Sequence, residues 1–358
     1  MKRMAVLTLA LALALLCSGC SVWEAQPPLE AVEAVQTMGV DYGDGVRVSV
    51  CTGTEDSAER IDDTGETLRV ALDALRDRSQ HGGLFYGHTQ YLLLGEDFAR
   101  AGIQELLDFV GRSAELRLAT PVYVLRGTAA DAVLDKELDV TGQLDAMERT
   151  GAPSVTALET VDAFARSGAA LVAALTYDSD AKALRPDGCA VLSDGRLAGY
   201  LDARDEAAVA WLNGAGGESI ALPDGATVTV TNCKAHIHAD WDDGKITAVT
   251  LTLQADAAVD QLKEDLTVTD ESVRRALEQA LAREMAQRTA AAVHCTQALR
   301  ADALGLGARL FAAQPIRWQR GDPDWSKRFP NVPVTVTVRA HITGTQDLTD
   351  PVPQEGSA

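Results

Sequence analysis

Apolar residues recur along the chain with two different periods, and the changes of period mark its elements. Apolar and polar positions alternate through Val46-Arg47-Val48-Ser49-Val50, through residues 226–240 and through residues 332–342, with Val334, Val336 and Val338 on one face. That is the period of a strand covered on one side. Elsewhere Leu68, Ala71, Leu72 and Leu75 recur at helical spacing, as do Ile103, Leu106, Leu107 and Val110. The same spacing runs through Val273, Ala276, Leu277, Ala280, Leu281 and Ala291, which predicts a long helix over 269–304. Shorter helices are predicted over 64–80, from Asp97 through Val110, over 128–134 and over 202–213, where Gly214-Ala215-Gly216-Gly217 stops the last. Residues 84–94 and 120–125 read as strands, and the polar, Gly/Pro-marked stretch 142–154 reads as a loop or linker.

Three Asp-Gly pairs, Asp44-Gly45, Asp194-Gly195 and Asp243-Gly244, separate strand-like runs. Asp-Gly tolerates the positive φ of tight hairpin turns, so a two-residue or bulged hairpin is predicted at each. Between the first two hairpins strand and helix alternate, which implies a mixed sheet with helices against it. The fold class is therefore α+β, in three mixed α/β-hairpin domains, with a long helix packed on an antiparallel sheet in the last. The expected boundaries are an N-terminal α+β domain over 20–180, a small middle α+β domain over 181–225 and a C-terminal α+β domain over 226–348. A frayed tail over 349–358 is expected to follow.

Residues 1–19 stand apart. Lys2 and Arg3 precede an apolar run over 4–16 broken only by Thr8, the pattern of an export signal. At helical rise this run reaches about 20 Å, short of the roughly 30 Å hydrocarbon core. It ends in Leu16-Cys17-Ser18-Gly19-Cys20, which resembles the lipobox of bacterial lipoproteins, with Cys17 where that motif usually has Leu. Cys20 is accordingly expected to be the acylated first residue of the mature chain, and Cys17-x-x-Cys20 a redox or metal pair only as a minor alternative. The net charge is −20, and loss of Lys2 and Arg3 with the signal would make the body more acidic still. Such a charge disfavours nucleic acid and adsorption to anionic lipid, leaving the acyl chains as the membrane attachment. Cys51, Cys189, Cys233 and Cys295 are widely spaced and fit no dense disulfide framework, so one bridge or four free thiols are both open to them.

The search for chemistry yields little. Cys233-x-x-His236-x-His238 is the best metal candidate, because His236 and His238 share one face of a strand. Cys233 falls on the opposite face, so an exposed strand face is the preferred interpretation. His294-Cys295 lies within the long helix and is read as a surface pair. No Gly-x-Ser-x-Gly elbow, His-Glu-x-x-His or P-loop occurs, and Gly305-Leu306-Gly307 follows a helix, which makes it a helix stop. No catalytic residue, metal or cofactor is assigned. His88, entering the run 89–94, reads as a structural histidine with a switch or ligand contact as the alternative. Trp318 and Trp325, flanking Gly321-Asp322-Pro323, read as a loop clamp, with an aromatic partner contact as the alternative.

One succession of segments ties these pieces together. Trp23 and Gly39-Val40-Asp41 precede Gly65-Glu66-Thr67 at a helix start, then Gly87-His88 and Gly95-Glu96 around a strand. Next come Ile103-Gln104-Glu105-Leu106-Leu107-Asp108-Phe109, Arg112-Ser113-Ala114-Glu115-Leu116-Arg117 and the Asp194 hairpin with Leu197-Ala198-Gly199-Tyr200-Leu201. The end carries Asp302-Ala303-Leu304-Gly305-Leu306-Gly307, Pro315, Trp318, Trp325 and a closing β-run. In this order the chain resembles the spore germination Ger(x)C family, the lipoprotein subunit of nutrient germinant receptors. The resemblance implies a three-domain α+β protein on the outer face of the inner spore membrane. It would work with two membrane-embedded partners, the receptor A and B subunits, in sensing or relaying a nutrient signal, and it brings no catalytic residues. Two other classes remain beside it. A solute-binding lipoprotein of a transporter would need two similar lobes, and an extracytoplasmic metallohydrolase would need a further ligand beside Cys233, His236 and His238.

Overall fold

The computed structural model describes residues 33–53, 59–79, 83–112, 116–134, 138–223, 225–262, 267–319 and 325–345. Cys20, Trp23, the signal 1–19 and the tail 349–358 lie outside them. The described strands form two sheets. The core of the larger is four parallel neighbours: β1 (Glu33–Tyr42), β5 (Tyr91–Gly95), β6 (Pro121–Leu125) and β8 (Ala169–Asp178). Antiparallel strands extend it on both sides, β2 (Val46–Thr52) and β3 (Glu59–Gly65) beyond β1, and β9 (Ala183–Ser193) and β10 (Arg196–Leu201) beyond β8. Two short pieces, β4 (Leu84–Phe85) and β7 (Val155–Thr156), pair with β1 and β6.

Parallel neighbours need crossovers, and the helices between them cover both faces of the sheet. Helices Leu68–Arg78, Glu96–Ala101 and Gln104–Arg112 place Leu68, Leu72, Leu75, Phe98, Leu106 and Val110 on one face, over Met38, Val40, Leu92 and Val122. Helices Ala130–Val133 and Val140–Arg149 cover Leu93, Tyr123 and Leu125 on the other. Double coverage explains why Leu92-Leu93-Leu94 and the start of β8 are continuous apolar runs rather than alternations. At the start of helix Leu68–Arg78, Thr67 accepts from the Val70 N–H at 3.3 Å. A Cβ at Gly65 would lie 2.5 Å from the Ala71 nitrogen, so only glycine lets the strand end meet the helix there.

The second sheet runs β11 (Ser219–Ala221), β12 (Thr227–Asp242), β13 (Lys245–Gln261) and β14 (Val334–Thr345). Helix Glu271–Ala298 packs on it with Leu277, Leu281, Met285 and Val293 buried. The expected antiparallel sheet holds for β11 to β13, but β14 pairs parallel to β13, because the long helix carries the chain back to the starting end before β14 begins.

Other expectations are corrected by particular contacts. Residues 183–201, expected in a separate middle unit, are two strands of the large sheet, and the expected boundary at 180 falls in the β8–β9 turn. Leu171, Cys189, Val191 and Leu201 of that sheet share one core with Trp211 of helix Ala203–Leu212 and with the second sheet. The stretch 142–154 begins as helix: Asp139 accepts from the Gly142 N–H at 2.8 Å, and Val140 and Leu144 are buried beneath it. The expected strand 84–94 is interrupted by a 3-10 turn, Tyr86–His88, and the helix from Asp97 is split at Gly102, whose φ is +132°. Two of the Asp-Gly turns have positive φ at both residues, Asp194 and Gly195 at 49° and 73°, and Asp243 and Gly244 at 44° and 72°. The first is wider, with Gly43-Asp44-Gly45 joining the paired Tyr42 and Val46.

Leu144→Ala tests the unexpected helix. Loss of a buried leucine should lower unfolding free energy by about 2–5 kcal/mol in urea titrations. A change near zero would mean that 140–149 is not packed on the sheet.

Candidate functional site

The C-terminal signature is built round one carboxylate. After the long helix the chain turns through Arg300, at φ +56°, and Gly305, at φ +65°, into helix Leu306–Ala313. Asp302 is buried at the start of that helix. Its Oδ1 accepts from the Leu306 N–H and its Oδ2 from the Gly307 N–H, each at 2.7 Å, and Trp325 Nε1 donates to Oδ2 at 2.8 Å. Burial pushes the Asp302 carboxyl up, and the indole, the two backbone N–H groups and the charge of Arg309 oppose that rise. A Cβ at Gly307 would lie 2.6 Å from Trp325 Nε1. Gly307 is thus required by the approach of an indole, not by a phosphate. Arg309, on the same helix, donates to the Leu212 carbonyl and to Asn213 Oδ1, both at 2.5 Å, and so ties the end of helix Ala203–Leu212 to this turn.

Around Trp325 the aromatic rings form a ladder. Trp241 meets Trp318 edge-on at 6.4 Å, Trp318 meets Trp325 at 6.0 Å, and Trp325 meets Phe329 at 5.7 Å. Trp241 Nε1 donates to Gln314 Oε1 at 2.8 Å. Trp325 is 7 % exposed and its only donor is taken by Asp302, so the alternative of a partner contact at Trp325 is corrected: it is an internal anchor. Trp318 is half-buried against the same core. The apolar surface there belongs instead to Phe311 and Ile316, which the hydrophobic pattern did not single out.

The N-terminal signature has the same construction. Asp41 is buried at the end of β1, and its two oxygens accept from the Ala130 and Asp131 N–H groups at 2.7 and 2.8 Å, closing the start of helix Ala130–Val133. Burial pushes this carboxyl up as well, and the two backbone donors counter it. A Cβ at Gly95 would lie 2.0 Å from Asp41 Oδ1, and one at Gly39 would lie 2.6 Å from Leu134 Cδ1. Glu96, next to Gly95, accepts from the Gly127 N–H and from Arg100. Gly39-Val40-Asp41 and Gly95-Glu96, far apart in sequence, are thus one structure.

The remaining candidates are dispersed. Cys233 points into the core while His236 and His238 face out, and His238 contacts Gln314 at 3.1 Å. His88 does not enter a buried strand: it is exposed in the 3-10 turn, edge-on to Phe85 at 5.5 Å. All four cysteines of the described residues are free thiols. Cys189 donates to Glu206 Oε1 at 3.2 Å and Cys295 to the Tyr200 carbonyl at 3.3 Å. Burial pushes Cys51 and Cys233 up to about 11, which leaves them protonated and unreactive at neutral pH. Among the described residues no three His, Cys, Asp or Glu side chains gather as a metal site.

Two family descriptions cover the chain in order. Residues 26–173 match the spore germination protein N-terminal domain, and residues 187–346 match the spore germination B3/GerAC-like C-terminal domain. The chain belongs to the spore germination Ger(x)C family. Among solved structures it is similar to the crystal structure of the GerBC protein, with a TM-score of 0.57 at 16% identity over 86% of this chain and 96% of that one. A search of curated proteins gives no match.

The Asp302 cluster can be taken apart. Asp302→Ala leaves two helix N–H groups and an indole unpaired and should cost on the order of 3–5 kcal/mol. Trp325→Phe keeps the stacking and removes one donor, for about 1.5–3 kcal/mol. Urea unfolding of both variants checks this, and near-equal small losses would show that the carboxylate does not hold the turn.

Proposed function

We propose that this protein is a non-catalytic lipoprotein subunit of a spore nutrient germinant receptor, held to the outer face of the inner spore membrane by acylated Cys20. The observation that carries the proposal is the match of two spore germination domains, in order, over residues 26–173 and 187–346. What Asp41, Gly95, Asp302, Gly307 and Trp325 do in the fold supports it further. These chemistry-bearing residues of the signature are engaged with backbone and with one another, not arranged round a substrate. A protein so built acts through its surfaces, and its partners in this proposal are the receptor A and B membrane subunits.

Among the described residues no helix is long and apolar enough to cross a membrane. Acyl chains contribute about 0.8 kcal/mol per buried methylene, so the two chains of a diacylglyceryl cysteine anchor a protein stably. The anchor and the partnership are tested together by Cys20→Ala in spores. The variant should accumulate off the membrane with unchanged thermal unfolding, fail to co-purify with the A and B subunits, and slow or abolish germination triggered by nutrients. Full retention on the membrane together with wild-type germination would rule out this tether.

A further inference from the structure

The chain enters its described body at Glu33, thirteen residues after Cys20. Thirteen residues reach at most about 45 Å even when fully extended. The end of the sheet at which β1 starts is therefore held near whatever holds Cys20. Because β5 and β6 run parallel to β1, with Thr37 level with Tyr91 and Leu92 level with Val122, their starts share that end.

Three of the large exposed apolar side chains lie there: Phe85, 39 % exposed, Leu118, 41 %, and Leu158, 51 %. Phe85 is level with Ala34 in β4. The turn bearing Leu118 is tied to the loop before β5, since Thr120 Oγ1 and Arg117 Nη2 donate to the Thr89 carbonyl at 3.2 and 3.3 Å. The Leu158 N–H donates to the Leu118 carbonyl at 2.9 Å, which sets the two leucines side by side. Arg117 and His88 are both exposed at this end. Of the acids at this end, Asp145 and Glu148 accept from the Tyr91 hydroxyl at 2.5 and 3.1 Å, and Glu159 is tied into the capping box with Thr156.

We infer that this end, with Phe85, Leu118 and Leu158 at its tip, rests on the lipid bilayer. The inference rests on the acyl anchor proposed above, and two features select lipid as the occupant. The tether is short. The exposed apolar groups are of the kind that enter the headgroup boundary.

Hydroxyl-radical footprinting tests it on the lipidated full chain bound to vesicles of phosphatidylethanolamine and phosphatidylglycerol, against Cys20→Ala protein free in solution. Oxidation of Phe85, Leu118 and Leu158 should fall roughly threefold or more on vesicles, as expected for side chains at the headgroup boundary. Tyr42, Phe311 and Ile316, which are also exposed, should be oxidised equally in both states. Protein that floats with the vesicles but shows no protection, or protection at Ile316 or Tyr42 instead, overturns the orientation and leaves the anchor standing. Protein that does not float with the vesicles overturns the anchor, and the orientation with it.

Discussion

A carboxylate taken out of water must be answered by donors, and two of them in this chain organise the turns where the fold changes direction. Asp41 closes the helix that follows β6, and Asp302 closes the helix that follows the long one. Each hydrogen bond to such a charge contributes about 1.5–3 kcal/mol, and leaving the charge unpaired would cost more than the bonds return. The donors therefore have to arrive together, and that requirement propagates. At Asp302 it fixes Trp325, the ring of Trp325 positions Trp318 and Phe329, and Trp318 packs on Trp241 at the far end of the β12 hairpin. At Asp41 it fixes the distance between the ends of β1 and β5, since Gly95 has no room for a side chain.

The same requirement explains the character of the residues that mark the family. Gly39, Gly95 and Gly307 are glycines because an isobutyl group, a carboxylate and an indole stand where a Cβ would be. Asp41 and Asp302 are acids because helix N–H groups need closing. Each of these residues is consumed by the fold.

Much of this architecture was legible in the sequence, and the failures have specific causes. Hairpins at Asp194 and Asp243 followed from turn chemistry, and the long helix followed from its apolar spacing. The helix over Val140–Arg149 was missed because only Val140 and Leu144 are buried on it, too few to set up a period. The position of β9 and β10 in the large sheet was missed because a hairpin pattern does not say which sheet it joins. Trp325 reads as a loop clamp from its place beside Gly321-Asp322-Pro323, but what it clamps to is not legible in the sequence. Nothing local in the sequence reveals the carboxylate twenty-three residues earlier that takes its N–H. The exposed Phe85, Leu118 and Leu158 were invisible for the converse reason: apolar residues are read as core until the fold shows otherwise.

The proposed role requires that Cys20 become the first residue of the mature chain and carry lipid. Intact-mass analysis of the protein extracted from spores measures this directly. The account predicts a chain beginning at Cys20 with a diacylglyceryl group on its sulfur. A mature chain that starts elsewhere, with that sulfur free and no fatty acid attached, would contradict it.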